Sequence, residues 1–206
     1  MRKVLLMALC AMCAMTLNAQ KYIDSNNILW NLHGDYEKAQ ADHNGLSVTT
    51  DSLVINVRPM YTGLIELCID NDTKSPVKVI WDESTLDGEA IVFGDMMKYQ
   101  IGLPVKPSII ESGSFLLKEI TTQSLAKYNK PYIDLDLAKS TFKQVGYMGY
   151  LMTIHLCIEK NGTKTRHKVC LQGLFVNKKF KDDVKDKANE SQDFKAIDEV
   201  FEKAMQ

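Results

Sequence analysis

Two long runs of alternating apolar and polar residues, Tyr150 to Lys160 and Thr163 to Val176, meet at Asn161-Gly162. Both central residues of a type I′ turn need positive φ, which Asn and Gly adopt at little cost, so this pair specifies a two-residue hairpin. Lys160 then faces Thr163. Counting back places Ile158, Leu156, Ile154 and Met152 opposite Thr165, His167, Val169 and Leu171 on one face. Glu159, Cys157, His155 and Thr153 fall opposite Lys164, Arg166, Lys168 and Cys170 on the other. The first face belongs to a core, and on the second Glu159 and Lys164 form a cross-strand charge pair. A lone strand pair cannot bury its apolar face, so further strands have to cover it.

Those strands are legible from Leu46 onward, where short runs rich in Val, Ile, Thr and Tyr alternate with polar residues between Pro, Gly, Asn and Asp. The pattern predicts strands over Leu46 to Thr50, Leu53 to Arg58, Gly63 to Asp70, Val77 to Glu83, Ala90 to Phe93, Phe115 to Ile120 and Tyr132 to Leu135, besides the hairpin. With 45% hydrophobic residues the chain can bury a core, and disordered or collagen-like classes are excluded. The expected class is all-β, a two-sheet immunoglobulin-like antiparallel sandwich over residues 46–177, with a small barrel as the alternative. Residues 20–45 hold neither a two-residue nor a 3.6-residue period and read as an N-terminal arm.

The ends are of a different kind. Arg2 and Lys3 precede an apolar run from Val4 to Met15, about twelve residues and too short to span a bilayer, and Ala19 offers a small residue for cleavage. Residues 1–19 therefore read as a signal peptide, and the mature chain is expected in the periplasm or outside the cell. A lipid anchor needs a small residue just before a cysteine, but Leu9 precedes Cys10 and Met12 precedes Cys13. After Val176 a charged linker, residues 178–190, leads to Ser191 to Gln206. There Phe194, Ile197, Val200, Phe201 and Ala204 recur at helical spacing and predict a C-terminal amphipathic helix with Ser191 or Asp193 as its cap.

Charge and cysteine usage narrow the chemistry. A net charge of -1 without a block of like charges provides no footprint for nucleic acid or for a membrane surface. The only C-x-x-C, Cys10 to Cys13, lies in the segment to be removed, leaving Cys68, Cys157 and Cys170. In the hairpin register Cys157 and Cys170 share a face about four rungs apart, roughly 13 Å, which is too far for a disulfide. Cys68 is then the only partner open to either, on the face of Glu66 and Asp70. No hydrolase, nucleotide-binding or metalloprotease motif occurs, and His33, His43, His155 and His167 include no pair at metal-ligand spacing. No catalytic, cofactor-binding or metal residue is assigned. Acidic groups that could serve a carboxylate mechanism or calcium are Asp70 with Asp72, Asp82 with Glu83 and Asp87, and Asp134 with Asp136. In Asp70-Asn71-Asp72-Thr73 the alternation of acids with turn formers reads as a hydrogen-bonded loop. Asn71-Asp72-Thr73, Asn161-Gly162-Thr163 and Asn189-Glu190-Ser191 match the N-glycosylation pattern, but three residues recur by chance in any Asn-rich chain and the matches are discounted; Asp51-Ser52-Leu53 resembles an O-glycosylation acceptor of some exported bacterial proteins.

The most specific phrase runs from Ile69-Asp70-Asn71-Asp72-Thr73 through Val77-Lys78-Val79-Ile80 to Trp81-Asp82-Glu83-Ser84. It resembles a phrase of small exported bacterial proteins, often lipoproteins, with an Asn-x-Thr turn followed by a strand ending Trp-Asp-Glu-Ser. The likeness extends more weakly through Tyr99, Pro107-Ser108-Ile109-Ile110 and Gly113. It implies a β-sandwich and transfers no catalytic residue. On the residues themselves, Val77, Val79 and Trp81 share a buried face, the indole N–H needs a partner, and Asp82, Glu83 and Ser84 can tie the following loop. Trp81, Asp82, Glu83 and Ser84 are thus the candidate binding or structural motif. The expected function is a noncatalytic exported module of the cell envelope that binds a protein or a surface glycan. A carboxylate-based, glycan-active hydrolase is the alternative.

Overall fold

Alternation of aliphatic and polar residues turns one side of each strand inward, and the observed strands follow it. The computed structural model describes residues 21–23, 28–33, 36, 38–42, 45–60, 64–94, 104–132, 139–140 and 149–175. Its strands are β1 Lys21–Ile23, β2 Ile28–Leu32, β3 Lys38–Asp42, β4 Gly45–Thr50, β5 Leu53–Pro59, β6 Ile65–Asn71, β7 Val77–Val79, β8 Thr85–Leu86, β9 Glu89–Phe93, β10 Ser108–Ile110, β11 Phe115–Thr122, β12 Gly149–Lys160 and β13 Thr163–Phe175. A short helix, α1 Gln123–Tyr128, follows β11. In β5 and β6 every second residue is buried, with Leu53, Ile55 and Val57 facing inward beside Ile65, Leu67 and Ile69.

All strand pairs are antiparallel and form one hydrogen-bonded path, β1-β2-β13-β12-β8-β9-β11-β6-β5-β4-β3, with β7 on β12 and β10 on β7. The far ends of the path return to each other, β1 lying against β3 and β4, so the sheet nearly closes like a barrel. One core fills the interior, where Trp30, Ile55, Ile65, Ile120, Ile154 and Leu171 are shut off from solvent. The hairpin has the register expected of it, from Lys160 opposite Thr163 to Met152 opposite Leu171, with Asn161 and Gly162 at φ 50° and 78°. Asp51-Ser52 between β4 and β5, and Asp87-Gly88 between β8 and β9, turn in the same way with positive φ at both residues.

Several expectations meet a different structure. Residues 20–45, read as an arm without regular elements, carry β1, β2 and β3, and Ile28, Trp30 and Leu32 are buried in the core. Each of these strands spans five residues or fewer, too short for a period to show in the sequence. Trp30 lies across Gly173 of β13, where a Cβ would come within 2.7 Å of the indole. The strand expected over Val77 to Glu83 ends at Val79, and Trp81–Glu83 is a 3-10 turn. Consecutive burial of Val79, Ile80 and Trp81 breaks the two-residue period there. Lys164 pairs with Glu83 rather than Glu159, and Glu159 faces Lys78 at 3.8 Å across the β7–β12 ladder. Helix α1 is capped by Thr122, whose hydroxyl accepts from the Leu125 N–H, and by Asn129 in the left-handed region. Tyr132 is in no strand. The rest of that expected strand, residues 133–135, the signal segment 1–19, the linker 178–190 and the C-terminal helix 191–206 lie outside the described residues.

Candidate functional site

Trp81-Asp82-Glu83-Ser84 turns the chain from β7 into β8, and each side chain reaches a different part of the fold. Trp81 is buried edge-on to Phe93, ring centres 5.0 Å apart, and its indole N–H donates to Ser108 Oγ at 2.9 Å. Asp82 Oδ1 accepts from the Val105 N–H at 2.8 Å. Ser84 Oγ donates to the Ile80 carbonyl at 2.8 Å and accepts from the Cys157 N–H at 3.0 Å. Glu83 takes the Lys164 ammonium and lies 3.5 Å from Cys157 Sγ. The Lys164 hydrogen bond holds the Glu83 carboxyl below its ordinary value, while burial first and Glu83 second push the Cys157 thiol up. The polar groups diverge toward β10, the segment before it, β12 and β13. A ligand site requires convergence, so this geometry is that of a joint.

Convergence occurs elsewhere, at the end of the molecule that carries the β4–β5 and β12–β13 turns. There an open cleft of about 450 Å³ is lined by Asp51, Ser52, Lys160, Asn161, Thr163 and His167 around a floor that includes Val77 and Ile158. His167 is buried on the core face of β13, with Nε2 2.8 Å from Thr165 Oγ1 and Nδ1 3.3 Å from Thr50 Oγ1. Thr165 Oγ1 also lies 3.3 Å from the Ile158 carbonyl. Asp51 Oδ2 lies 3.9 Å from Nδ1. Burial lowers the His167 pKa and outweighs the opposing pull of Asp51, leaving the ring neutral near pH 7. The cleft therefore presents an exposed carboxylate, an ammonium, an amide and hydroxyls over a neutral imidazole, a set suited to holding a polar ligand by hydrogen bonds.

The hairpin register placed His167 on the core face, but the sequence held no signal that Asp51 would stand beside it, because β13 is not a sheet neighbour of β4 or β5. Of the other acids named from the sequence, Asp87 holds local structure. Asp87 accepts from the Thr153 N–H at 2.7 Å and from the Tyr132 hydroxyl, whose pKa burial and Asp87 push far above the usual phenol range. Burial, then Asp72, raises the Asp70 pKa. Between them Asn71 is completely buried; its Oδ1 accepts from the Thr73 N–H and hydroxyl, and its Nδ2 donates to the carbonyls of Ser75 and Ile110. Asp134 and Asp136 lie outside the described residues. Among the described residues no three His, Cys, Asp or Glu side chains gather as a metal site. Cys68, Cys157 and Cys170 are free thiols, and burial, with Asp70 and Glu66, pushes Cys68 up to about 11.

No family model and no curated protein matches the chain. A solved structure, described as a crystal structure of a protein from Archaeoglobus fulgidus, is similar over 73% of this chain and 95% of that one, at 13% identity and a TM-score of 0.32. A likeness of that size adds nothing to the fold or to the site.

Proposed function

We propose that this chain is a noncatalytic interaction module of the cell envelope, exported by its N-terminal segment, which binds a protein or a surface glycan at the end bearing the β4–β5 and β12–β13 turns. The cleft between those turns is the observation that carries this reading, because it gathers polar groups from distant parts of the chain at an open surface. Asp51 is the carboxylate of the described lining, whereas a glycan hydrolase needs two at about 5 to 10 Å. That supports binding over the hydrolase alternative. An immunoglobulin-like pair of facing sheets belongs to the same proposal, supported by the core shared between the β2-β13-β12 and β4-β5-β6 strands. Crosslinking capture from the native envelope tests it, comparing the natural chain with a Lys160→Glu, Asn161→Asp variant. Asp-Gly keeps the turn while the rim becomes acidic. The natural chain is expected to capture a defined partner that the equally stable variant loses. Equal capture by both, or a chain retained in the cytoplasm, would overturn the proposal.

A further inference from the structure

We propose that Ser52 Oγ is a glycan attachment site. Asp51-Ser52-Leu53 places a carboxylate, a hydroxyl and an apolar side chain in succession, and the fold separates their roles. Leu53 is buried and pins the start of β5, while Asp51 and Ser52 are exposed at the tip of a two-residue turn, with φ 49° and 62°. The Ser52 carbonyl accepts from the Asp72 N–H at 3.1 Å, which holds the turn in a fixed shape. A transferase is thus offered a protruding hydroxyl beside a carboxylate on folded protein. Asp72-Thr73 repeats the first two residues of the pattern and differs in each respect that matters. Lys74 follows it, and Thr73 is buried with its hydroxyl bonded to Asn71 Oδ1 and the Ser75 carbonyl. Asn71 is also closed to modification in the folded chain, since both Nδ2 hydrogens are engaged and the side chain has no exposed surface.

The chemistry is a glycosyl transfer from a glycosyl diphosphate donor by a separate enzyme. Ser52 Oγ forms the bond to the anomeric carbon, the carbon–oxygen bond to the diphosphate breaks, and the diphosphate leaves with the electron pair. The hydroxyl proton passes to a base of the transferase. This inference rests on the export part of the reading above and not on the cleft as a binding site. The test is intact-mass analysis with peptide mapping of the protein purified from the envelope of cells that naturally make it, as natural chain, Ser52→Ala and Asp51→Ala. The natural chain should exceed its sequence mass by whole sugar units, mapped to the peptide holding Ser52, and both variants should lose the addition completely. Should a variant fail to accumulate, the mapped natural peptide decides alone. An envelope-borne chain at its unmodified mass, or sugar mapped to Asn161, would overturn the inference and leave export standing. A cytoplasmic chain with residues 1–19 retained would overturn both.

Discussion

At the residue scale the two tryptophans show how a large side chain becomes a fixed point of the fold. Trp81 combines full burial with a satisfied N–H, so Trp81→Ala should cost about 3 to 5 kcal/mol in chemical denaturation, through lost contacts and the cavity left behind. Trp81→Phe keeps much of the area but strands the Ser108 hydroxyl, and it should fall between the alanine variant and the natural chain. His167 makes a different prediction. Its folded pKa lies below the ordinary 6.5, so as the pH falls the unfolded chain takes up this proton first. The stability contributed by the neutral ring is fully present above about 6.5 and is lost as the pH falls toward the folded value. The urea midpoint should therefore drop between about pH 7.5 and about pH 5.5 by more in the natural chain than in a His167→Gln variant. An equal drop in both would show that other groups govern the acid response. The core position of His167 was legible from two-residue periodicity; burial of Trp81 was expected from the same period, but it comes from the 3-10 turn after the strand ends at Val79. Asp51, which sets the charge facing His167, was not legible.

At the element scale the β12–β13 hairpin is the part that local chemistry specifies most completely. Asn161-Gly162 admits one tight turn, and every later pairing follows from counting. In that register Cys157 lies opposite Arg166 and Cys170 opposite Thr153, so the two thiols cannot bond. Thiol titration of the chain lacking residues 1–19, unfolded without reductant, should therefore find three free thiols. A mapped Cys157–Cys170 disulfide would contradict the register. Asp87-Gly88 makes a turn of the same kind between β8 and β9, but β8 has only two residues and does not stand out as a strand beside it. The ion pairs show the limit of local reading. Glu159 and Lys164 are cross-strand neighbours, yet β7 brings Lys78 to one and the turn after it brings Glu83 to the other. An outward face on a hairpin is free to pair within itself only while no third strand covers it.

At the scale of the whole molecule the core is shared by strands from both ends of the described chain, which makes the N-terminal strands part of the fold. A chain beginning at Leu46 would lose Ile28, Trp30 and Leu32 from the interior and bare β13 along its edge with β2. It should unfold without a cooperative transition, or with a midpoint many degrees lower, when followed by circular dichroism, whereas an unchanged midpoint would restore these residues to the status of an arm. The sequence by itself determined the antiparallel all-β class, the hairpin register, the inward faces of β6, β12 and β13, and the two-residue turn at Asn161-Gly162. All of these depend on neighbours along the chain, through the two-residue alternation and the φ preferences of Asn, Asp and Gly. Only the tertiary structure decided that β2 caps β13, that Trp81 ends its strand in a 3-10 turn tied to four segments, and that Asp51 and Ser52 stand at the rim of the His167 cleft. These rest on contacts between residues as distant along the chain as Ile28 and Phe175, whose energies depend on shape and burial, and no periodicity encodes which distant strand will supply the partner.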